Sequence, residues 1–398
     1  MRNLLAASLL ALFASTATHA AALSPPQQAA LKQLVKEAEA SHSDAMVIWK
    51  DGKEIGHYYA GGSAPEPIEL MSVTKSVVSL GIGQLIDEGK IKSLDQPVAD
   101  FYPEWRQGQK AAITVRMLLD HYSGIQAGTP GTEIYPAPDA VQLALAAELD
   151  SPPGTRFVYN NKAVNLLAGI VLKVTGKPMD GFFREGLFKA MDITPGNWET
   201  DKAGNPYAMA GLPLTAADLG KLGALVMQRG EWKGKQLVST RYIDAMLQAQ
   251  GIDECGLLWW RKPLWIHLET DPASFEKLRK AGVPEATVAK LEKGLKGASY
   301  DNQGAVFDGV FAALGPDGRS TFQADLQSRG FGPNKMFKVT QGPVGAFYGD
   351  GDGGQSVVVI PAAHIVAVRQ IAKNSEQEEE GEGFEDFADL VIKVAAVH

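Results

Sequence analysis

Ser72 and Lys75 stand three residues apart in Met71-Ser-Val-Thr-Lys75, at the mouth of the apolar run Ser76-Val-Val-Ser-Leu-Gly-Ile-Gly-Gln-Leu-Ile86. On a helix, positions i and i+3 share a face, so the lysine amine can reach the serine hydroxyl. A serine becomes a useful nucleophile once a neighbouring base takes its proton, and a lysine serves as that base when its pKa is depressed. Desolvation by Val77, Val78, Leu80 and Ile82 and the positive end of the helix dipole both act in that direction. The same helix start aims backbone N–H groups at an oxyanion forming on a substrate. A serine cap followed by an exposed lysine would use the same residues without any chemistry. Ser274 and Lys277 repeat the spacing inside a Lys/Glu-rich segment with no apolar helix behind it, so spacing alone does not decide.

Other chemistry-bearing residues read more plainly. Cys255, the single cysteine, lies in Glu-Cys-Gly-Leu-Leu-Trp-Trp and is expected to be a buried structural thiol. His121, in Asp-His-Tyr-Ser-Gly, reads as a histidine that packs a loop. The run Asp350-Gly-Asp-Gly-Gly has the texture of a calcium loop, but its twelfth position is Pro361 and not glutamate. Neither a Gly-x-Ser-x-Gly elbow nor a His-Glu-x-x-His pair occurs. No metal and no organic cofactor is expected.

The elements that must position Ser72 follow from hydrophobic periodicity. Residues 25–41 form an amphipathic helix with Pro26 near its first turn. Met46–Trp49 and Glu54–Tyr59 read as a hairpin around Asp51-Gly52. The helix behind Ser72 stops at Gly89, and the texture then changes to helix-sized patterns between Pro/Gly loops: 115–120 capped by Thr114, 139–149, 161–175 ended by Gly176, and 179–191. Two further helices are expected at 216–228 and 240–248, and a strand at 256–260. Residues 261–340 give a helical pair at about 274–296 and then a Gly/Asp/Phe-rich section of low periodicity. Ser356–Ile360 and His364–Ile371 are the clearest strand pair, and a last helix covers 384–397.

Strands near both ends with helices between them imply an α+β fold: an antiparallel sheet built from both termini, flanked by helices, with an inserted all-helical domain. The expected division is a sheet domain of residues 23–90 and 200–398, carrying an insertion at 261–340, and a helical domain of 91–199. Ser72 falls at the seam between the two, where ligand sites form. Residues 1–22 have the basic start, short apolar core and small-x-small exit of a cleaved signal peptide, which implies a periplasmic or secreted protein. No stretch is long enough to span a membrane, and a net charge of −8 disfavours nucleic acid as a partner. The acidic run 376–382 reads as a solvated loop.

Five stretches in order resemble the serine β-lactamase and penicillin-binding-protein superfamily, in its class-C-like branch of esterases, D-aminopeptidases and aminohexanoate-oligomer hydrolases. They are 71–98, 113–125, 151–176, 211–234 and 349–361. The resemblance implies a β-lactamase/transpeptidase-like fold and puts the family's Ser-x-x-Lys motif on Ser72 and Lys75. Its Tyr-x-Asn motif falls on Tyr159-Asn160-Asn161. It implies that Tyr159, eased toward deprotonation by a nearby lysine cation, shuttles a proton, and that Asn161 orients Lys75 and the substrate carbonyl. The third motif, usually Lys-Thr-Gly or His-x-Gly on the strand edging the site, falls on Gly349-Asp350-Gly351. There Gly351 would let the backbone approach the substrate, and the Asp352 N–H would be the second oxyanion donor beside that of Ser72. No lysine, histidine or threonine stands where β-lactam-hydrolysing members hold the substrate carboxylate. That departure favours small-molecule esters or amides without a carboxylate, or substrates presenting a cation to Asp350 or Asp352. A serine hydrolase working through an acyl-enzyme is implied, with Lys75 and Tyr159 both open as the base. A D,D-peptidase or β-lactamase, and a non-catalytic ligand-binding protein of the same fold, are the alternatives. The oligomeric state is left open.

Overall fold

The computed structural model describes residues 23–248, 255–372 and 387–396. The signal-peptide reading of 1–22 and the loop reading of 376–382 lie outside the described residues. In chain order, the elements that build and cover the main sheet are α1 (Pro25–Ala40), β1 (Ala45–Lys50), β2 (Lys53–Tyr59), α2 (Val73–Asp87), α3 (Asn161–Thr175), α4 (Ala216–Met227), β3 (Trp260–Pro263), β4 (Val344–Gly351), β5 (Gln355–Ile360), β6 (Ile365–Gln370) and α5 (Phe387–Ala395).

The sheet has the strand order β2-β1-β6-β5-β4-β3, and every neighbouring pair is antiparallel. Its centre joins the two ends of the chain, with Ala45 opposite Gln370 and Lys50 opposite Ile365. β5 and β6 are buried at every position, which explains their uninterrupted Val/Ile character. Alternation sends Val357, Val359, Val366 and Val368 to an inner face under α2 and α4. Val358, Ile360, Ile365 and Ala367 go to an outer face under α1 and α5. The two covering helices are tied at their ends, where the Gln27 side chain donates to the Val394 carbonyl at 3.0 Å.

Buried almost throughout its length, α2 lies between the inner face and the helical block. A helix apolar on all sides belongs in a core, and here it carries Ser72 to the surface of that core at its N-terminus. The helical block is built from short capped pieces. Thr114 caps Val115–Leu119, Asp139 caps Ala140–Ala146 through the Val141 and Gln142 N–H groups, and Asn160 caps α3. The helix expected over 179–191 is interrupted by a π turn at Arg184–Phe188, where Gly186 leaves helical geometry.

One expectation needs correction, and one stretch left unplaced can be described. The strand expected at 256–260 begins only at Trp260; residues before it form a turn in which Leu258 has φ +59°. That turn is apolar because it is pinned into the core beside α2: Ser76 Oγ donates to the Leu258 carbonyl at 2.7 Å and Trp259 Nε1 to the Ser76 carbonyl at 3.1 Å. A short apolar run does not distinguish a buried turn from a strand. The section of low periodicity after 296 is also structured. Between β3 and β4 the chain leaves the sheet to form four α-helices and a three-stranded sheet around a hydrophobic core of its own, which includes Val288, Leu291, Val310 and Leu326. The excursion starts and ends at one place, where the Leu264 N–H donates to the Pro343 carbonyl at 3.0 Å.

Candidate active site

Ser72 occupies the N-cap of α2 with its own backbone in the helical region, so its hydroxyl does not cap the helix. The preceding Met71 is held at φ +46°, a conformation uncommon for a residue with a side chain. Hydrogen bonds on both sides keep it there: the Leu70 N–H donates to the Leu212 carbonyl, and the Thr74 N–H to the Met71 carbonyl. One turn along the helix, Lys75 Nζ stands 2.9 Å from Ser72 Oγ and donates to the Met209 carbonyl at 2.7 Å. Lys75 is 3% exposed, and among the described residues it has no carboxylate partner in an ion pair. Burial holds its pKa well below the ordinary lysine value.

Tyr159 closes the group from the loop before α3. Its phenol shares a hydrogen bond with Ser72, and its ring lies 4.9 Å from Lys75 Nζ. The ring stacks on Trp260 at an interplanar angle of 20° and packs on His121 with centroids 4.6 Å apart. At 37% exposure it is still open to the cleft. The loop is fixed from behind by Asn160, whose Nδ2 donates to the Ile125 carbonyl at 2.6 Å and whose N–H donates to His121 Nδ1 at 3.2 Å. His121 is buried, and its pKa is lowered to about 3 by burial and then by Lys75, so it is a neutral hydrogen-bond acceptor that packs the loop. The expected easing of Tyr159 deprotonation is reversed. Burial, assisted by Asp350 and Asp352 and opposed by the Ser72 hydrogen bond, pushes its pKa up to about 12.

Asn161 opens α3 two residues after Tyr159, but the hydrogen bonds of Lys75 in the described structure go to Ser72 and Met209. The Asn161 Oδ1 is buried without a hydrogen-bond partner in the described structure. Four residues on, Asn165 accepts the Met209 N–H through Oδ1 at 3.2 Å. Neither Met209 nor Asn165 carried a sequence signal. The first acts through a backbone carbonyl, which leaves no trace in residue type, and the second falls on an apolar helix where an asparagine stands out only in hindsight.

β4 brings the third stretch to the site. Gly349 passes α2 so closely that a Cβ would lie 2.6 Å from Ser76 Oγ, and one on Gly351 would lie 2.7 Å from the Leu70 carbonyl oxygen. Gly351 is therefore demanded by the chain's own approach to the Ser72 elbow, before any substrate is considered. Asp350 sits one position away and shares a strand face with Tyr348 and Ser356, the face turned from α2. It borders the cleft because the cleft wraps around the open end of β3 and β4. That cleft, of about 520 Å³, is lined by Ser72, Tyr159, Trp260, Asp350, Gly351 and Asp352, among others. Desolvation raises the Asp350 carboxyl to about 6, against the Gly351 N–H that it accepts and the nearby Arg369. Among the described residues no cluster of His, Cys, Asp and Glu is arranged to hold a metal ion, and no helix is long and apolar enough to cross a membrane.

A sequence model of the Beta-lactamase family matches residues 31–389. The chain is similar to a 6-aminohexanoate-dimer hydrolase of Paenarthrobacter ureafaciens, 27% identical over 54% of this chain and 60% of that protein. It is also similar to the esterase/beta-lactamase LipL of Mycobacterium tuberculosis, 28% identical over 37% of each chain. The matched stretches thus span less than two thirds of these relatives. The crystal structure of a penicillin-binding protein homolog from Caulobacter crescentus superposes with a TM-score of 0.58 at 18% identity, covering 94% of this chain and 98% of that one, which shows the shared fold. With the fold and nearly the whole chain in agreement, the protein belongs to the beta-lactamase family.

Proposed function

We propose that the protein is an exported serine hydrolase that cleaves an ester or amide through an acyl-enzyme on Ser72. The observation that carries this reading is a buried amine, without a carboxylate partner in the described structure, 2.9 Å from an uncapping serine hydroxyl. Ser72 Oγ forms a bond to the substrate carbonyl carbon while its proton passes to Lys75 Nζ. The depressed lysine and the raised phenol favour Lys75 as the acceptor and Tyr159 as the protonated carrier. The Ser72 and Asp352 N–H groups receive the oxyanion. Collapse expels the leaving group, which takes a proton through Tyr159, and the acyl-enzyme remains. A water then adds to the acyl carbon, giving its proton to the Tyr159–Lys75 pair, and collapse returns a proton to Ser72 Oγ. The chemistry needs no cofactor.

The substrate reading rests on Gly349-Asp350-Gly351-Asp352, which brings two carboxylates to the cleft, while the lysine that also lines it, Lys262, is paired with Asp389. An acyl or leaving group without a carboxylate beside the scissile bond suits it, and a cationic one suits it better. D,D-peptidase and β-lactamase activities are accordingly expected to be weak. Turnover of p-nitrophenyl acetate by the wild type and by Ser72→Ala tests the assignment. Ser72-dependent turnover without labelling by a fluorescent penicillin supports the ester or amide hydrolase. Efficient penicillin labelling would favour the peptidase, and no Ser72-dependent turnover would favour a ligand-binding protein. Export is tested by N-terminal sequencing of protein recovered from the periplasm or medium: a chain beginning near residue 21 or 23 supports it, and an intact leader overturns it.

A further inference from the structure

The Met209 carbonyl that holds Lys75 lies in a stretch without helix or strand, so no backbone ladder fixes it. Asn165 fixes it instead. This residue of α3 is 1% exposed, and its Oδ1 accepts the Met209 N–H. The connection then runs from residue 209 through its carbonyl to Lys75 Nζ, and from Nζ to Ser72 Oγ. A neutral amine has one lone pair. Donating an N–H to a fixed carbonyl sets the rotation about Cε–Nζ and so decides whether that lone pair faces the serine. The other half of the Asn165 amide is not accommodated, since Nδ2 is buried without a partner in the described structure. Leucine, of similar volume, would remove that donor but leave the buried Met209 N–H without its acceptor, a comparable cost. The two costs are of similar size, so stability does not single out asparagine, whereas the Met209 contact needs its acceptor.

We propose that Asn165 is a positioning residue for the Ser72–Lys75 couple, acting through residue 209 to turn the Lys75 amine toward Ser72. It makes no hydrogen bond to Ser72 or Lys75 in the described structure, and the inference rests on the reading of Lys75 as the proton acceptor. The test compares kcat/KM for p-nitrophenyl acetate across pH, with thermal melts, for the full-length wild type, Asn165→Leu and Asn165→Asp. Asn165→Leu removes the acceptor together with the orphaned donor. It is expected to lose at least about tenfold in kcat with little change in KM and only a small change in melting temperature, since one orphaned donor is exchanged for another. Asn165→Asp keeps an acceptor for the Met209 N–H and is expected to recover most of the rate. Its buried carboxylate favours the lysine cation and moves the acid limb of the profile to higher pH.

Wild-type kcat and an unchanged profile in Asn165→Leu would overturn the proposal, as would an unmoved acid limb in Asn165→Asp. If Asn165→Leu does not fold, the limb of Asn165→Asp decides alone. A wild type without Ser72-dependent turnover would instead remove the hydrolase reading itself, an outcome visible before any Asn165 variant is compared.

Discussion

Replacing Lys75 by methionine separates function from stability at the heart of the site. The amine is 3% exposed and makes hydrogen bonds of 2.9 Å and 2.7 Å, so both sides of the balance can be followed. Methionine nearly matches the lysine in length and volume, and the cavity stays filled. The Met209 carbonyl loses a partner and is left buried, at a cost of about 1–3 kcal/mol. Ser72 keeps its hydrogen bond to Tyr159 and loses little. Against this, the variant no longer takes an ammonium out of water. The depressed lysine pKa is the sign of that penalty, and every tenfold fall in proton affinity corresponds to about 1.4 kcal/mol. The two terms oppose each other, so Lys75→Met is expected to lose no more than the cost of the orphaned Met209 carbonyl, about 1–3 kcal/mol, or at most several degrees in melting temperature. Loss of the base should cut kcat/KM for p-nitrophenyl acetate by about 10²–10⁴. The assay is ester turnover alongside calorimetry at the same pH. Activity within tenfold of wild type, or collapse of the fold with no stable variant, would refute the assignment of Lys75 as a functional base held at a cost in stability.

Tyr159→Phe removes the proton carrier and keeps the ring against Trp260 and Lys75; kcat should fall by about 10²–10³ with an unchanged melting temperature, measured by the same two assays. Gly351→Ala places a methyl group 2.7 Å from the Leu70 carbonyl oxygen, and the overpacking should cost about 1–3 kcal/mol in urea unfolding and lower kcat by displacing the Ser72 elbow. Buried Asp120 has its carboxyl raised to about 7, chiefly by desolvation. The folded state therefore binds its proton more tightly than the unfolded state, and this contribution is present below about pH 4 and lost as pH rises through 7. Asp120→Asn should consequently stabilise the protein more at pH 8 than at pH 4, as read by thermal melts at the two values.

Much of this was legible in the residues. β5 and β6 announced themselves because strands buried on both faces are continuous apolar runs, and α2 did so because an apolar helix behind Ser72 and Lys75 satisfies both the fold and the chemistry. Tyr159 was legible only through the resemblance of its surroundings, since a tyrosine at a loop–helix junction has no signature of its own. What stayed hidden acts through geometry that residue type does not encode. The Met209 carbonyl is one case; the turn at 255–259, whose apolar residues plug the core beside α2, is another. Gly351 drew attention as a place for close backbone approach to a ligand, and the structure adds a second need for it in the approach of the chain itself to the Leu70 carbonyl. The direction of the Tyr159 shift was misjudged because a nearby lysine is visible in a motif and the desolvation that outweighs it is not.

The most direct measurement is the intact mass of the protein after reaction with a fluorophosphonate, followed by peptide mapping. The account predicts one adduct per chain, located on Ser72, absent in Ser72→Ala and formed far more slowly in Lys75→Met. An adduct on another residue, or equal labelling of the wild type and Ser72→Ala, would contradict it.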